Sequence, residues 1–335
     1  MKKLIFLSVF MGAIQFAAAQ NVVVEWVGQL PTEQATPLVE LFNTQVAAKA
    51  GFTVEYQYDE AAVADLLAGK IRPEFDLVHM KDADMLNTLA KKSLSAAIQL
   101  ENKAVLPAHL KDPNNHWIGI LKRARIIYYN SDLVTEGELK NYEDLGDAKF
   151  KDKLCLRQKK AAYNIGLYSF FLGLWGQEKT NAVLKTWADN SAAIPLLEKD
   201  LDGVILNVNK GTCAVGIANT YYYMRHLRAE PNTKVKAVFP NQNDIGAHVN
   251  VDGVAVLKTS TVQIEAQVFA NWLLTEEAQS TLSHITDKFP ANPAVVSQDL
   301  LHTFGSFKEN QAFHLNSVAD LKAEALDIAT KQGLK

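Results

Sequence analysis

From Val22 onward the chain alternates between two hydrophobic periods, and that alternation narrows its fold more than any other feature. VVVEWV is an apolar run of strand length, after which Leu38, Phe42 and Val46 recur at helical spacing until Gly51 stops the pattern. FTVEYQY alternates like a strand, EAAVADLLAG reads as a short helix ending at Gly69, FDLVHM is a third strand, and residues 82–90 form another helix. Strands separated by helix-sized crossovers build a parallel sheet with helices on its faces, because a right-handed crossover needs a connection of that length. The N-terminal part is therefore expected to be an α/β lobe. Past Asn130 the pattern restarts with KLCLR as a strand, an apolar helix over residues 165–175, and two further helical runs up to Val208. CAVGIAN is a buried strand leading into the helix YYYMRHLRAE, and KVKAVFP and AHVNVDGVAVL return as strands. The rest is mostly helical, with a helix start at Thr275-Glu276-Glu277 and a break at Phe289-Pro290-Ala291-Asn292-Pro293. No repeat or flexible linker separates the halves, so ordered strands are expected to join the lobes as a hinge.

The first residues stand outside this pattern. MKKLIFLSVFMGAIQFAAAQ places Lys2 and Lys3 before an apolar run to about Ile14 and small residues at Ala17, Ala18 and Ala19, the layout of a secretory signal peptide spanning residues 1–19. Its apolar run is short of the roughly 20 residues that cross a bilayer. No cysteine sits at the expected cleavage point, which argues against a lipid anchor there.

Composition supports a folded body of about two domains: 335 residues, 48% hydrophobic, with a formal net charge of −3. Disorder, collagen and a multi-span membrane protein are excluded, and so balanced a charge gives no general affinity for nucleic acid or anionic lipid. The partner is expected to be small or read locally. In an oxidising compartment, Cys155 and Cys213 pair if their strands are neighbours and are otherwise two buried thiols; the sequence does not give the separation that decides it.

HExxH, GxSxG, GxxxxGK[ST] and CxxC are all missing, and the eight histidines are scattered without ligand spacing, so nothing asks for an enzyme. Lys159-Lys160 reads as solvated surface. Tyr221, Tyr222 and Tyr223 are different, because three successive phenols cannot all enter one core: they alternate faces in a strand and fan by about 100° each in a helix. With Thr220 capping a helix, Tyr221 and Tyr222 occupy its first turn at the C-terminal end of the CAVGIAN strand, where open α/β sheets bind ligands. Phenolate oxygen suits a hard cation such as ferric iron, which displaces the phenol proton from a pKa of about 10. An aromatic wall for an organic ligand and ordinary packing are the alternatives.

Five blocks in order make the chain resemble the periplasmic ferric-ion-binding proteins, the substrate-binding components of ATP-driven iron transporters, which have the two-lobed fold of the bacterial transferrins. They are WIGILKRARIIYYN, CLRQKKAAYN, CAVGIANTYYY, GAHVNVDGVAVL and FPANP, spread over nearly the whole chain beyond the signal. The resemblance implies that Tyr221 and Tyr222 are the family's adjacent tyrosine ligands, that Tyr163 is the tyrosine of its Cys-x-Arg…Tyr-Asn motif, and that Cys155 pairs with Cys213. It assigns Arg123, from the RAR element, to a synergistic anion such as carbonate. One departure stands out: where many relatives carry Arg-His-Tyr after strand one, this chain reads Gly28-Gln29-Leu30, so the first lobe supplies a weaker ligand or none.

The resemblance thus implies an α/β, two-lobed periplasmic-binding-protein fold with two crossing strands as its hinge. The first lobe would comprise residues 20–121 and 247–300, the second residues 122–246 and 301–335. It would be a monomeric, non-enzymatic protein of the periplasm that captures Fe(III) between its lobes and delivers it to an ABC permease and its ATPase. The rival within the same fold is a binding protein for an organic anion, an iron chelate or a phosphorylated solute. That rival would draw its charge from Lys159, Lys160 and Arg123.

Overall fold

The computed structural model describes residues 22–135 and 137–335, so the expected signal peptide lies outside the described residues. The chain enters through β1 (Val22–Gly28), α1 (Thr32–Gln45), the single turn α2 (Ala47–Ala50), β2 (Phe52–Tyr58), α3 (Glu60–Ala68), β3 (Leu77–Met80), α4 (Ala83–Lys91) and the short β4 (Ser95–Ala96). β2, β1 and β3 lie side by side and parallel, as the alternation predicts. Two caps mark helix starts: Asp59 accepts from the Ala62 amide at the head of α3, and Asp82 from the Asp84 amide at the head of α4.

β5 (Ile118–Asn130) is buried at every position but Lys122, which is why its sequence shows no alternation. It belongs to two sheets. Residues 118–124 pair antiparallel with β9 (Val249–Leu257), whose far side pairs with β3. From Arg125 onward β5 instead pairs with β7 (Val215–Asn219) and β8 (Val235–Val238). β5 and the start of β9 are thus the two strands that cross between lobes. The Tyr142 hydroxyl pins the crossing by donating to the Arg125 carbonyl (2.7 Å) and accepting from the His248 amide (3.0 Å). Residues 308–310 make a third connection, bonded on both sides of Ala247.

The second lobe adds β6 (Leu154–Cys155), parallel to β7, and α5 (Ala162–Asn190), kinked at Gly176 where φ is 74°. The second helical run expected before Val208 is one π turn over residues 200–205 continued by α6 (Leu206–Asn209). α7 (Thr220–Ala229) follows β7 directly. After β9 come α8 (Gln263–Trp272), α9 (Glu276–Thr286), β10 (Phe289–Pro290), α10 (Gln298–Phe304) and α11 (Val318–Lys331). Thr275 caps α9 as expected, accepting from the Ala278 amide. The last helix returns to the second lobe, where Val318, Ala325 and Ile328 join a core built on Phe170, Phe171 and Trp187. Cys155 and Cys213 form a disulfide with Cα atoms 5.7 Å apart, inside the range that geometry allows.

Candidate metal centre

β7 is buried along its whole length and delivers the chain to the head of α7. The N-cap is Asn219, one residue earlier than the expected Thr220, and its side chain makes no capping bond. Its carboxamide oxygen instead accepts from Arg125 (3.4 Å). Tyr221 and Tyr222 occupy the first turn as expected, their ring centroids 4.2 Å apart. Tyr223 turns away: its hydroxyl donates to the Val235 carbonyl (2.8 Å) and its ring packs on Tyr128. The tyrosine run therefore splits by helical rotation into two residues at the site and one in the core.

Tyr163 stands in the first turn of α5, and the Tyr221 hydroxyl donates to its hydroxyl at 3.3 Å. All three tyrosines singled out in the sequence meet at the N-termini of two helices. Burial pushes the Tyr221 phenol well up, with Tyr163 and Tyr222 adding to the rise and Arg123 opposing it. Burial raises Tyr222 as well. These phenols stay protonated at neutral pH until something displaces the proton. Among the described residues no group of three or more His, Cys, Asp or Glu side chains could hold a metal ion, so phenol oxygens are the hard donors here.

Cations surround the rings. The guanidiniums of Arg123, Arg157 and Arg125 lie 5.2, 5.5 and 5.9 Å from the Tyr163 centroid. Arg225 lies 5.2 Å from the centroid of Tyr221, and the Lys288 ammonium lies 5.3 Å from it. Such placements are favourable for a neutral ring and more so for a phenolate.

The two arginines of the RAR element differ in their partners. Arg123 is held by the first lobe, donating to Asp252 (2.8 Å), the Lys81 carbonyl (2.7 Å) and Asp82 (3.2 Å). Its η nitrogens are occupied, which leaves it a fixed charge behind Tyr163. Burial would raise Asp252, but Lys288, Arg123 and the His79 ring 3.7 Å away hold it well below the usual carboxylate range. Arg125 serves the second lobe: it donates to Asn164, beside Tyr163, at 2.5 Å, and to both oxygens of Asp200 at 3.2 and 3.3 Å. Sequence reasoning singled out neither Asp200 nor Arg157, whose guanidinium lies 3.8 Å from that carboxylate.

Neither Gln29 nor Leu30 offers a free donor. Leu30 is core, and the Gln29 carboxamide is used on both sides, donating to Glu60 (2.6 Å) and accepting from the Lys81 amide (3.2 Å). Lys159, one of the charges assigned to an organic-anion site, directs its ammonium to the Leu334 carbonyl (2.7 Å).

The family model for bacterial extracellular solute-binding proteins matches residues 62–304. Iron uptake protein A1 of Synechocystis sp. is 34% identical over 236 residues, 69% of this chain and 65% of that protein, so the match spans less than two thirds of its length. The major ferric iron-binding protein of Neisseria meningitidis is 25% identical over 291 residues, covering 81% of this chain and 79% of its own. A Trichodesmium protein (IdiA, FutA) solved with iron and citrate ligands superposes with a TM-score of 0.85 at 27% identity, covering 93% of this chain and 100% of its own.

Proposed function

The chain belongs to the bacterial extracellular solute-binding protein family, and we propose that it captures ferric iron in the cleft between its lobes and delivers it to an ABC permease and its ATPase. Tyr163, Tyr221 and Tyr222 are the ligands in this reading, each giving up its proton to bind as phenolate. The observation that carries it is the meeting of three phenols, with 3.3 Å between two hydroxyls, inside a ring of cations. Phenolates are hard oxygen donors matched to a trivalent cation, and three of them neutralise its charge. The names of the relatives point the same way: iron uptake, ferric iron binding, and a complex with iron and citrate.

A small anion such as carbonate completes the coordination sphere in this proposal. Arg123, Arg125, Arg157, Arg225 and Lys288 stand against Asp82, Asp200 and Asp252, so a neutral iron–phenolate core leaves positive charge that an anion offsets. Arg123 contributes as a fixed charge. The expected division at 121/122 and 246/247, with residues 301–335 in the second lobe, shifts in this proposal to 124/125 on β5, where its partner changes from β9 to β7. The protein acts in the periplasm after cleavage of residues 1–19. Adding ferric iron to the purified protein should raise a visible phenolate-to-iron charge-transfer band, and a colourless titration would overturn the reading.

A further inference from the structure

We infer that the Asp287-Lys288 corner of the first lobe is a latch that holds the cleft shut over Tyr221, with Arg228 as its positioning residue on the second lobe. The inference rests on Tyr221 being part of the binding site. The corner is rigid and belongs to the first lobe. Asp287 ends α9 in the left-handed region (φ 59°), its amide donating to Ser283; the Ser283 hydroxyl donates to the Lys288 carbonyl (2.7 Å), and the next residue, Phe289, pairs with Lys122 on the first-lobe half of β5.

Across the cleft, Tyr221, Arg225 and Arg228 follow one another at i, i+4 and i+7 on α7 and share a face. Arg228 grips Asp287 in a two-pronged pair, Nη1 to Oδ1 at 3.0 Å and Nη2 to Oδ2. Lys288, anchored by Asp252, sets its ammonium 5.3 Å from the Tyr221 centroid. One corner thus touches the helix two turns apart, at the site and at its solvent end. The Arg228 side chain is 60% exposed while that of Asp287 is 8% exposed, so the pair reaches solvent on the second-lobe side. Lobe opening must break both contacts, which ties ligand release to two charge interactions that salt weakens.

The test compares wild type with Arg228→Gln and Lys288→Met. Each is loaded with ferric iron, and transfer to an excess of competing chelator is followed by decay of the visible band. Release roughly tenfold faster in both variants, with the band of Arg228→Gln at an unchanged wavelength, is the expected result, since the ligands remain while the closed state loses a contact. Arg228→Lys should recover part of the loss. Wild-type release should quicken with added salt, and that dependence should shrink in Arg228→Gln. Release at the wild-type rate in both variants overturns the latch. Small-angle scattering of the iron-free proteins tests it independently of the iron reading: a larger radius of gyration in Arg228→Gln supports the latch, and indistinguishable curves overturn it even where no band forms.

Discussion

Arg125 and Asn164 are bonded at 2.5 Å, and through this contact the crossing strand β5 holds the helix turn that carries Tyr163. The same guanidinium reaches Asp200 and the Asn219 carboxamide, two residues before Tyr221. One buried charge on the hinge therefore fixes both tyrosine-bearing helix starts. Arg125→Gln should lower unfolding stability by about 3 kcal/mol, the low end for breaking a buried pair, because Arg157 stays within 3.8 Å of Asp200. Chemical denaturation measures it. A loss below about 1 kcal/mol would mean that Arg125 is not what orders the site.

The Cys155–Cys213 bond closes a loop of 58 residues behind the same helix starts. In the chain-entropy view such a loop is worth roughly 4 kcal/mol. Thiol titration of the denatured, unreduced protein should find no free thiol, and reduction should lower the denaturation midpoint by a corresponding amount. Stability unchanged by reduction would sink the structural role.

What the sequence disclosed follows a physical line. Strand and helix periods, the pairing cysteines and the first-turn placement of Tyr221 and Tyr222 depend on local pattern or on motif, and all were legible. The parting of Arg123 and Arg125 was not. Residues two apart on a strand share a face, yet β5 changes sheets at Ala124/Arg125, so one arginine meets Asp82 and Asp252 and the other Asp200. The sequence left Gln29 as a weaker ligand or none; its partners Glu60 and Lys81 lie on other elements, and no local pattern marks them. The role of Tyr223 depended on where Val235 returns in the sheet, which is equally non-local.

Stability should fall on both sides of neutrality. Burial, helped by Arg125 and Arg123, pushes the His248 imidazole down to about 3. A depressed base is folded as the neutral ring, so its contribution is present above its unfolded pKa of about 6.5 and is lost as pH falls toward 3. The raised phenols of Tyr221 and Tyr222 have the opposite sense: their contribution is full below the unfolded value of about 10 and is lost as pH climbs through the folded one. Unfolding free energies of the iron-free protein should decline below about pH 6.5 and above about pH 10. His248→Gln should flatten part of the acid limb, with His79 and His226, also pushed down by burial, and the depressed carboxylates of Asp252 and Glu309 keeping the remainder. An unchanged acid limb in His248→Gln would refute the assignment.

The tyrosines allow the sharpest comparison, because four of them lie close in sequence or space and differ only in what their hydroxyls do. If phenolates bind the iron, Tyr163→Phe, Tyr221→Phe and Tyr222→Phe each remove an oxygen ligand while keeping the ring, and each should nearly abolish ferric binding and its band. Tyr223→Phe removes a hydroxyl that serves only the Val235 carbonyl. It should keep full iron binding and cost about 1 kcal/mol of stability, the usual worth of a buried hydrogen bond. Gln29→Ala should also leave iron binding nearly intact, since its carboxamide is spent on Glu60 and Lys81. Iron titrations followed by the band and by calorimetry separate the cases. If the rings served only as an aromatic wall, the three site variants would lose no more than one hydrogen bond each, about 0.5–1.5 kcal/mol or roughly tenfold in affinity. Binding retained within that margin in all three would remove the phenolates from the site and leave the surrounding cations in search of an anionic ligand.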